Sequence, residues 1–254
     1  MTQFPTNHPM GNDRQPIHDD NHALSIFDDI TKCLTFFKSC GARQIDISDQ
    51  SLQLINDWAK PIFLRSKKNK LQNKDLSDIQ QRALSCTNCN LSANRKNVVF
   101  GEGSPHGRLM FIADTPNQEE DAFGQPFVGV EGDLFNRIIQ SIRQTRNSVY
   151  LTHIIKCVTP NGHAPSADEI QACFQWLMLQ IESIQPEYIC TLGELASQIM
   201  IQSSDPIDRL RGRFYSFQGI QVLPTYHPAL LLRHKEKKRD VWEDLKLLMK
   251  TMDI

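Results

Sequence analysis

The sequence predicts an α/β fold with a mainly parallel sheet that carries helices on both faces. From about residue 76, short apolar segments alternate with longer segments in which apolar residues recur at helical spacing. The first short segment, RLMFIAD at 108–114, has the near-continuous apolar pattern of a buried strand. Ligands of such sheets bind beyond the carboxyl ends of the strands, so the loops after Asp114, Ile155 and Tyr226 are candidate positions for a site.

Each further element has its own local signal. The helix predicted at 166–184 begins with Ser166 and Glu169, the pattern of a capping box. Pro228 begins the final predicted helix, in a first turn where proline is favoured. The other predicted strands are SVYLTHII at 148–155, EYICTLG at 187–193 and a strand pair at 213–226 that turns at Gln218 and Gly219. The other predicted helices are EGDLFNRIIQSIRQ at 131–144 and ELASQIMI at 194–201.

A helical N-terminal extension is predicted before the α/β region. The first residues are polar and contain several Pro, Gly and Asn, which is typical of a disordered tail. Residues 23–41 and 48–59 have helical periodicity, and a polar, basic linker follows at 65–75. We therefore expect three parts, which are a disordered tail at 1–22, a helical extension and linker at 23–75, and the α/β domain at 76–254.

Composition narrows the possible functions. The 254 residues carry a net charge of −1, so nucleic-acid binding would need a local basic patch rather than a global positive field. No apolar run reaches the roughly 18 residues that a membrane span needs. The N-terminus also lacks a basic start followed by an apolar stretch. We therefore expect a cytoplasmic protein without membrane contact.

Four of the seven cysteines have a spacing that indicates a metal centre. Cys86 and Cys89 form a C-x-x-C pair, and Cys157 and Cys173 follow far downstream. Thiolates bind either an iron–sulfur cluster or zinc, and four of them complete either site. The alternative is that Cys157 and Cys173 are small buried side chains among apolar neighbours. The same interpretation applies to the remaining cysteines, which are Cys33, Cys40 and Cys190.

The chain from about residue 84 to residue 249 resembles the family 4 uracil-DNA glycosylases, the iron–sulfur branch of that superfamily. The matching segments are CTNCNL, VVFGEGSPHGRLMFIA, EEDAFGQPFVGVEGDLFNRI, VYLTHIIKC, ADEIQAC, LRGRFYSFQGIQVLPTYHPALLLR and VWEDLK. The resemblance implies a three-layer α/β/α sandwich and a [4Fe–4S] cluster on the four cysteines. It also implies base excision repair, by hydrolysis of the bond between deoxyribose and uracil or a related deaminated base.

The resemblance assigns a role to two residues that match the family. Phe127 in GQPFVG is expected to stack on the flipped uracil, and the alternative is a core phenylalanine. His227 in TYHPALLL is expected to donate a hydrogen bond to the uracil carbonyl as negative charge develops. The alternative for His227 is a histidine that only caps the helix start.

The first catalytic loop departs from the family pattern Gly-Glu-(Ala/Gly)-Pro-Gly. Here the segment is ADTPNQEED, in which Asp114 replaces the glutamate. The aspartate side chain is shorter by one C–C bond, roughly 1.5 Å. Asp114 is expected to orient water or to stabilise the positive charge on the sugar. Thr115 and Asn117 replace small residues, and we expect Thr115 to contact the substrate.

The position that reads the base departs as well. The family has asparagine in TNVVKC, whereas this chain has His153 in THIIKC. An imidazole offers its hydrogen-bonding atoms in a different geometry from an amide. Either the base preference has changed, or uracil recognition is weaker, or His153 packs without contacting a ligand.

Two functions therefore stay open, a DNA glycosylase and a glycosylase-fold DNA-binding module that has weakened or lost catalysis. DNA contact is expected from Arg211 and Arg213 in RLRGRF, which supply a local basic patch. We expect a monomer whose partner is DNA that contains uracil or a damaged base. The N-terminal extension is a candidate site for a protein partner.

Overall fold

A computed structural model describes residues 75–254. The tail predicted at 1–22 and nearly all of the extension predicted at 23–75 lie outside the described residues, as do Cys33 and Cys40. Those predictions, and the domain boundaries that depend on them, stay predictions. Within the described residues, no helix is both long enough and apolar enough to cross a bilayer.

A six-stranded sheet forms the centre of the fold and confirms the predicted α/β class. The strands are β1 (Glu102–Gly103), β2 (Leu109–Ala113), β3 (Tyr150–His153), β4 (Tyr188–Leu192), β5 (Tyr215–Phe217) and β6 (Ile220–Thr225). Their spatial order is β1-β3-β2-β4-β6-β5. The four inner strands run parallel, and the two edge strands are antiparallel to their neighbours. The predicted mainly parallel sheet is therefore confirmed.

Helices cover the sheet on both sides. They are α1 (Leu76–Leu84), α2 (Gln118–Phe123), α3 (Gly129–Ser141), α4 (Ala167–Ile184), α5 (Glu194–Ile201), α6 (Ile207–Leu210), α7 (Pro228–Arg233) and α8 (Lys238–Met252). The predicted capping box at Ser166 and Glu169 begins α4. The helix that begins at Pro228 is not the final one, contrary to the prediction. It ends at Arg233, since His234 has non-helical φ of −122° and ψ of 79°, and α8 follows separately.

Strand β2 shows how the two faces are built. All five of its side chains are buried. Because side chains alternate across a strand, Met110 and Ile112 join one apolar cluster while Leu109 and Phe111 join another on the opposite face. The near-continuous apolar run in the sequence reflects this burial on both faces.

The register of the sheet brings the predicted site loops to one edge. Ala113 of β2 pairs with His153 of β3 on one side and with Leu192 of β4 on the other. Leu192 in turn pairs with Thr225 of β6. The parallel strands therefore end together, and the residues that follow them meet at their carboxyl ends.

Candidate active site

Three of the predicted site residues lie together at this edge. The ring of Phe127 stacks on Phe135 of α3 with a centroid separation of 4.2 Å. The His153 ring lies 5.7 Å from the Phe127 centroid at an interplanar angle of 20°. His227 lies 5.9 Å from the same centroid at 27°. Phe127 is thus the common neighbour of both histidines.

The backbone of Phe127 is held in an unusual conformation. Its φ of +52° is in the left-handed region, which non-glycine residues rarely adopt. The carboxylate of Glu120 accepts its N–H at 2.5 Å, and the guanidinium of Arg146 donates to its carbonyl. Gly132 allows α3 to pass closely, because a Cβ there would lie 1.9 Å from the Phe127 carbonyl oxygen. These contacts fix the orientation of the aromatic ring.

Glu120 connects the first loop to Phe127 and to His153. No sequence motif gave this residue a role. Its side chain accepts the N–H of Asn117 at 2.7 Å, while Asn117 Oδ1 accepts the Glu120 N–H at 2.9 Å. This capping box begins α2, a helix that was also not predicted. The N-x-x-E pattern at 117–120 is the local signal that could have predicted it.

Glu120 also faces His153. Glu120 Oε1 lies 3.4 Å from His153 Nε2, and both side chains are almost fully buried. Burial alone would raise the pKa of Glu120, but His153 and the N–H groups of Asn117 and Phe127 outweigh it and lower that pKa to about 2. The carboxylate is therefore ionised at neutral pH. An ionised oxygen facing Nε2 requires a proton on that nitrogen.

His227 has its own tautomer fixed by the backbone. It is the N-cap of α7, where its Nδ1 accepts the Ala229 N–H at 3.2 Å. Burial, together with the neighbouring His153, lowers the pKa of His227 to about 4. The ring is therefore neutral at pH 7 with its proton on Nε2. His227 therefore caps the helix, and the cap leaves its Nε2–H available, so the donor role stays a prediction.

Asp114 extends from the end of β2 towards the first turn of α5. Its Oδ1 accepts the Ala196 N–H at 2.7 Å. Burial raises the pKa of Asp114 to about 6, although the Ala196 N–H and His153 oppose the shift. Gly193 leaves space for the carboxylate, because a Cβ there would lie 2.5 Å from Asp114 Oδ2. Thr115 follows on the loop and is half-buried.

The two predicted DNA-binding arginines have different environments. The Arg211 guanidinium donates to both carboxylate oxygens of Asp244, at 3.0 and 2.9 Å, and lies 5.2 Å from the Tyr226 ring centroid. Arg213 is exposed, and its Nε donates to the Tyr215 hydroxyl at 2.6 Å. Of these two arginines, only Arg213 is exposed to solvent.

The four cysteines of the predicted metal centre line one small cavity. They are free thiols. Three of the four sulfur atoms accept a hydrogen bond. The donors are the Arg95 guanidinium to Cys157 at 3.3 Å, the Lys156 backbone to Cys173 at 3.2 Å and the Trp176 indole to Cys86 at 3.3 Å. Among residues 75–254, no group of three or more His, Cys, Asp or Glu side chains is arranged to hold a metal ion.

A short segment links this cavity to α2. Arg95 also donates to the Cys86 carbonyl at 2.6 Å. The next two residues, Lys96 and Asn97, donate their backbone N–H groups to the Asp121 carboxylate at 3.0 and 3.2 Å. Asp121 is the immediate neighbour of Glu120, so hydrogen bonds connect the cysteine cavity to the helix that carries Glu120.

Comparison with known proteins identifies the family. A family model described as the uracil DNA glycosylase superfamily matches residues 100–246. The chain belongs to the uracil-DNA glycosylase superfamily. The matched range contains Asp114, Phe127, His153 and His227, and the helix-covered parallel sheet agrees with the superfamily fold.

Curated relatives within this superfamily are type-4 uracil-DNA glycosylases. The one from Saccharolobus solfataricus is 38% identical over 185 residues, which cover 69% of this chain and 85% of the relative. The one from Thermotoga maritima is 37% identical over 171 residues, covering 66% and 89%. The one from Archaeoglobus fulgidus is 32% identical over 181 residues, covering 68% and 91%. The uracil-DNA glycosylase relationship predicted from the motifs is therefore confirmed.

Proposed function

We propose that this protein is a DNA repair glycosylase that removes uracil from DNA by hydrolysing the N-glycosidic bond. The observation that carries the proposal is the arrangement of Phe127 beside the buried His153 and the partly buried His227, whose tautomers are fixed by Glu120 and by Ala229. An aromatic face and fixed hydrogen-bonding atoms are what the recognition of a flipped base requires.

Each site residue has a step in this proposal. The flipped base stacks on Phe127, whose backbone cannot easily rotate away. His227 donates its Nε2–H to a uracil carbonyl, where negative charge grows as the bond breaks. The Asp114 carboxylate, held by α5, orients the attacking water or stabilises the positive charge on the sugar. His153 contacts the edge of the base, and Thr115 contacts the substrate beside Asp114.

A DNA-binding module without catalysis is the second candidate function. The observation that favours it is the hydrogen bond from Ala196 to Asp114, because it occupies one of the two carboxylate oxygens. Asp114 is shorter than the glutamate of the family, and one of its oxygens is already hydrogen-bonded. Such a carboxylate holds an attacking water less well. This function predicts DNA binding that weakens steeply with salt and no release of the base.

Base release under single-turnover conditions separates the two functions. The assay uses the full chain purified without oxygen, a single-stranded oligonucleotide with one uracil, and an identical oligonucleotide with cytosine as the control. The glycosylase produces alkali-labile abasic sites in the uracil strand only. Binding of both strands without abasic sites would favour the module.

The rate is expected to depend on the ionisation of Asp114. With a pKa of about 6, the carboxylate is ionised above that pH and gains a proton below it. The single-turnover rate should therefore be constant above pH 7 and fall about tenfold per pH unit below pH 6. Asp114→Asn should lower the rate at least tenfold and remove this acidic limb. The exposed Asp133 supplies a control, because Asp133→Asn should leave the profile as it is.

We also propose that Cys86, Cys89, Cys157 and Cys173 hold a [4Fe–4S] cluster. The cavity that all four line, and the N–H donors that point at three of the sulfurs, suit thiolate ligands. When bound, the cluster would crosslink the segment at 86–96 to Cys157, which follows β3, and to Cys173 in α4.

A matched pair of cysteine variants tests the cluster. Cys157→Ser is expected to reduce the iron content and the visible absorption of anaerobically purified protein to a small fraction of wild type. Cys190→Ser is the control, since Cys190 is equally buried but lies in β4, away from the cavity. Full iron content in Cys157→Ser, or equal loss in both variants, would refute the ligand assignment.

DNA contact is proposed for Arg213. Arg213→Ala should weaken binding to every DNA sequence by a similar factor and reduce the slope of log affinity against log salt by about 1. Arg211→Ala should act differently, because it leaves the buried Asp244 carboxylate without its partner. We expect a loss of about 3–5 kcal/mol of folding stability there. Thermal unfolding and salt titrations of the two variants distinguish these results, and an unchanged salt slope for Arg213→Ala would rule out the contact.

A further inference from the structure

His153 has the one buried side-chain nitrogen or oxygen in the described residues that lacks a hydrogen-bond partner. The atom is Nδ1, and the whole residue is 1% exposed. Buried polar atoms are nearly always paired, so an unpaired one beside Phe127 is a candidate position for a hydrogen bond to a ligand. Nε2 cannot take that role, because Glu120 already engages it at 3.4 Å.

In the neutral form of the His153 ring, the partner of Nδ1 follows from the proton on Nε2. Glu120 is ionised and requires an N–H on the nitrogen that it faces. A neutral imidazole with its proton on Nε2 carries a lone pair on Nδ1, and that atom is then only an acceptor. The other titratable groups that interact with His153 are Asp114, Glu131 and His227. None of them donates to Nδ1.

We propose that Nδ1 of His153 accepts the N3–H of the flipped base, so that His153 selects bases by that N–H. His153 does not read the carbonyl at C4. The inference rests on the proposed function and specifies how its substrate is chosen. Deamination of cytosine converts the ring nitrogen N3 from an acceptor into an N–H donor. An acceptor at this position therefore attracts uracil and repels cytosine through opposed lone pairs.

The orientation of the His153 ring agrees with a hydrogen bond from the base to Nδ1. The His153 plane is within 20° of the Phe127 plane. A base stacked on Phe127 is parallel to that ring and therefore nearly parallel to the imidazole. Hydrogen bonds to aromatic nitrogens lie close to the ring plane, so nearly parallel planes allow an edge-to-edge hydrogen bond between a stacked base and the imidazole. An asparagine at the same position would offer both a donor and an acceptor, and would read two atoms of the edge.

Modified bases test which atom is read. The probes are single-stranded oligonucleotides that contain uracil, N3-methyluracil or 4-thiouracil, and the readout is the single-turnover rate of base release. We expect N3-methylation to slow the wild type at least tenfold, while the 4-thio group changes the rate less than threefold. His153→Asn should become sensitive to the 4-thio group as well. Wild-type tolerance of N3-methylation, or strong sensitivity to 4-thio substitution, would overturn the proposal.

The bulk of the methyl group needs its own control. His153→Ala removes the acceptor and enlarges the pocket, so the penalty for N3-methylation should disappear in that variant. A penalty that persists unchanged in His153→Ala would show a steric effect and overturn the proposal. Circular dichroism and thermal unfolding identify any variant that has not folded.

Binding measurements keep this inference separate from the proposed function. If wild-type protein releases no uracil, the glycosylase function has failed, but recognition can still be measured. Oligonucleotides with 2′-fluoroarabino sugars resist base loss and can carry uracil, N3-methyluracil or cytosine. We expect at least tenfold tighter binding of the uracil strand than of either other strand, and loss of that preference in His153→Ala. Equal affinities in wild type would contradict the inference whatever the catalytic result.

Discussion

His227→Ala is expected to reduce the single-turnover rate of uracil release about 100- to 1,000-fold, the effect of removing one donor from an anion-stabilising site. The Ala229 N–H occupies Nδ1 and holds the proton on Nε2. The low pKa of His227 keeps the ring neutral, so donation does not depend on pH above about 5. Because the loss concerns charge that develops during bond cleavage, DNA affinity should change only slightly.

Two further variants separate donation from helix capping. His227→Ala also removes the N-cap of α7, which costs about 1 kcal/mol of stability. His227→Asp restores a capping acceptor without a neutral donor, so it should recover stability and stay slow. The exposed His234 supplies a control, because His234→Ala should react at the wild-type rate. A fast His227→Asp enzyme would show that the residue only caps the helix.

Glu120→Gln is expected to lower both stability and base release. The carboxylate accepts N–H groups from Asn117 and Phe127 and faces His153 Nε2, and a neutral amide cannot accept all three bonds. Loss of one charged hydrogen bond in a buried site costs about 2–3 kcal/mol, which lowers the melting temperature by roughly 4–12 °C in a domain of this size. The rate should fall more than tenfold, since Phe127 and His153 lose the same support.

The pH dependence of stability gives an independent measure of Glu120. Its pKa is lowered to about 2 in the folded protein, so its stabilising effect is present above the ordinary glutamate pKa and is lost as the pH falls towards 2. Glu120→Gln should therefore differ from wild type most at neutral pH and least near pH 2. Glu119→Gln is the control at the exposed neighbouring position. Equal melting temperatures for the two variants at pH 7 would disprove the anchoring role.

Local patterns in the sequence predicted much of the scaffold. The apolar run at β2 and the Ser166 capping box of α4 are signals within a few residues, and the structure confirms both elements. The turn at Gln218 and Gly219 is also confirmed, with φ values of +51° and +89° at the two positions. The family motifs likewise predicted that Phe127, His153 and His227 contact one base. His153 and His227 are also near the ends of parallel strands, which meet at a common edge.

The connections between distant residues could not be predicted in the same way. Glu120 meets His153 across 33 positions of the chain, and only the register of β2 and β3 brings them together. The engagement of Arg211 by Asp244 depends similarly on the packing of α8 beside β6. A run of arginines reveals charge but not whether that charge is already paired. The break at His234 is a backbone feature without a proline or glycine to announce it.

The most direct test of the base pocket is a crystal structure of the full chain with single-stranded DNA that carries a 2′-fluoroarabino uracil. We predict the uracil ring stacked on Phe127, with its N3–H donating to His153 Nδ1 and a carbonyl accepting from His227 Nε2, each at about 2.7–3.2 Å. The Glu120 carboxylate should still face His153 Nε2. A uracil that stays outside the pocket, or that leaves Nδ1 unpaired when bound, would contradict the proposed recognition of the base.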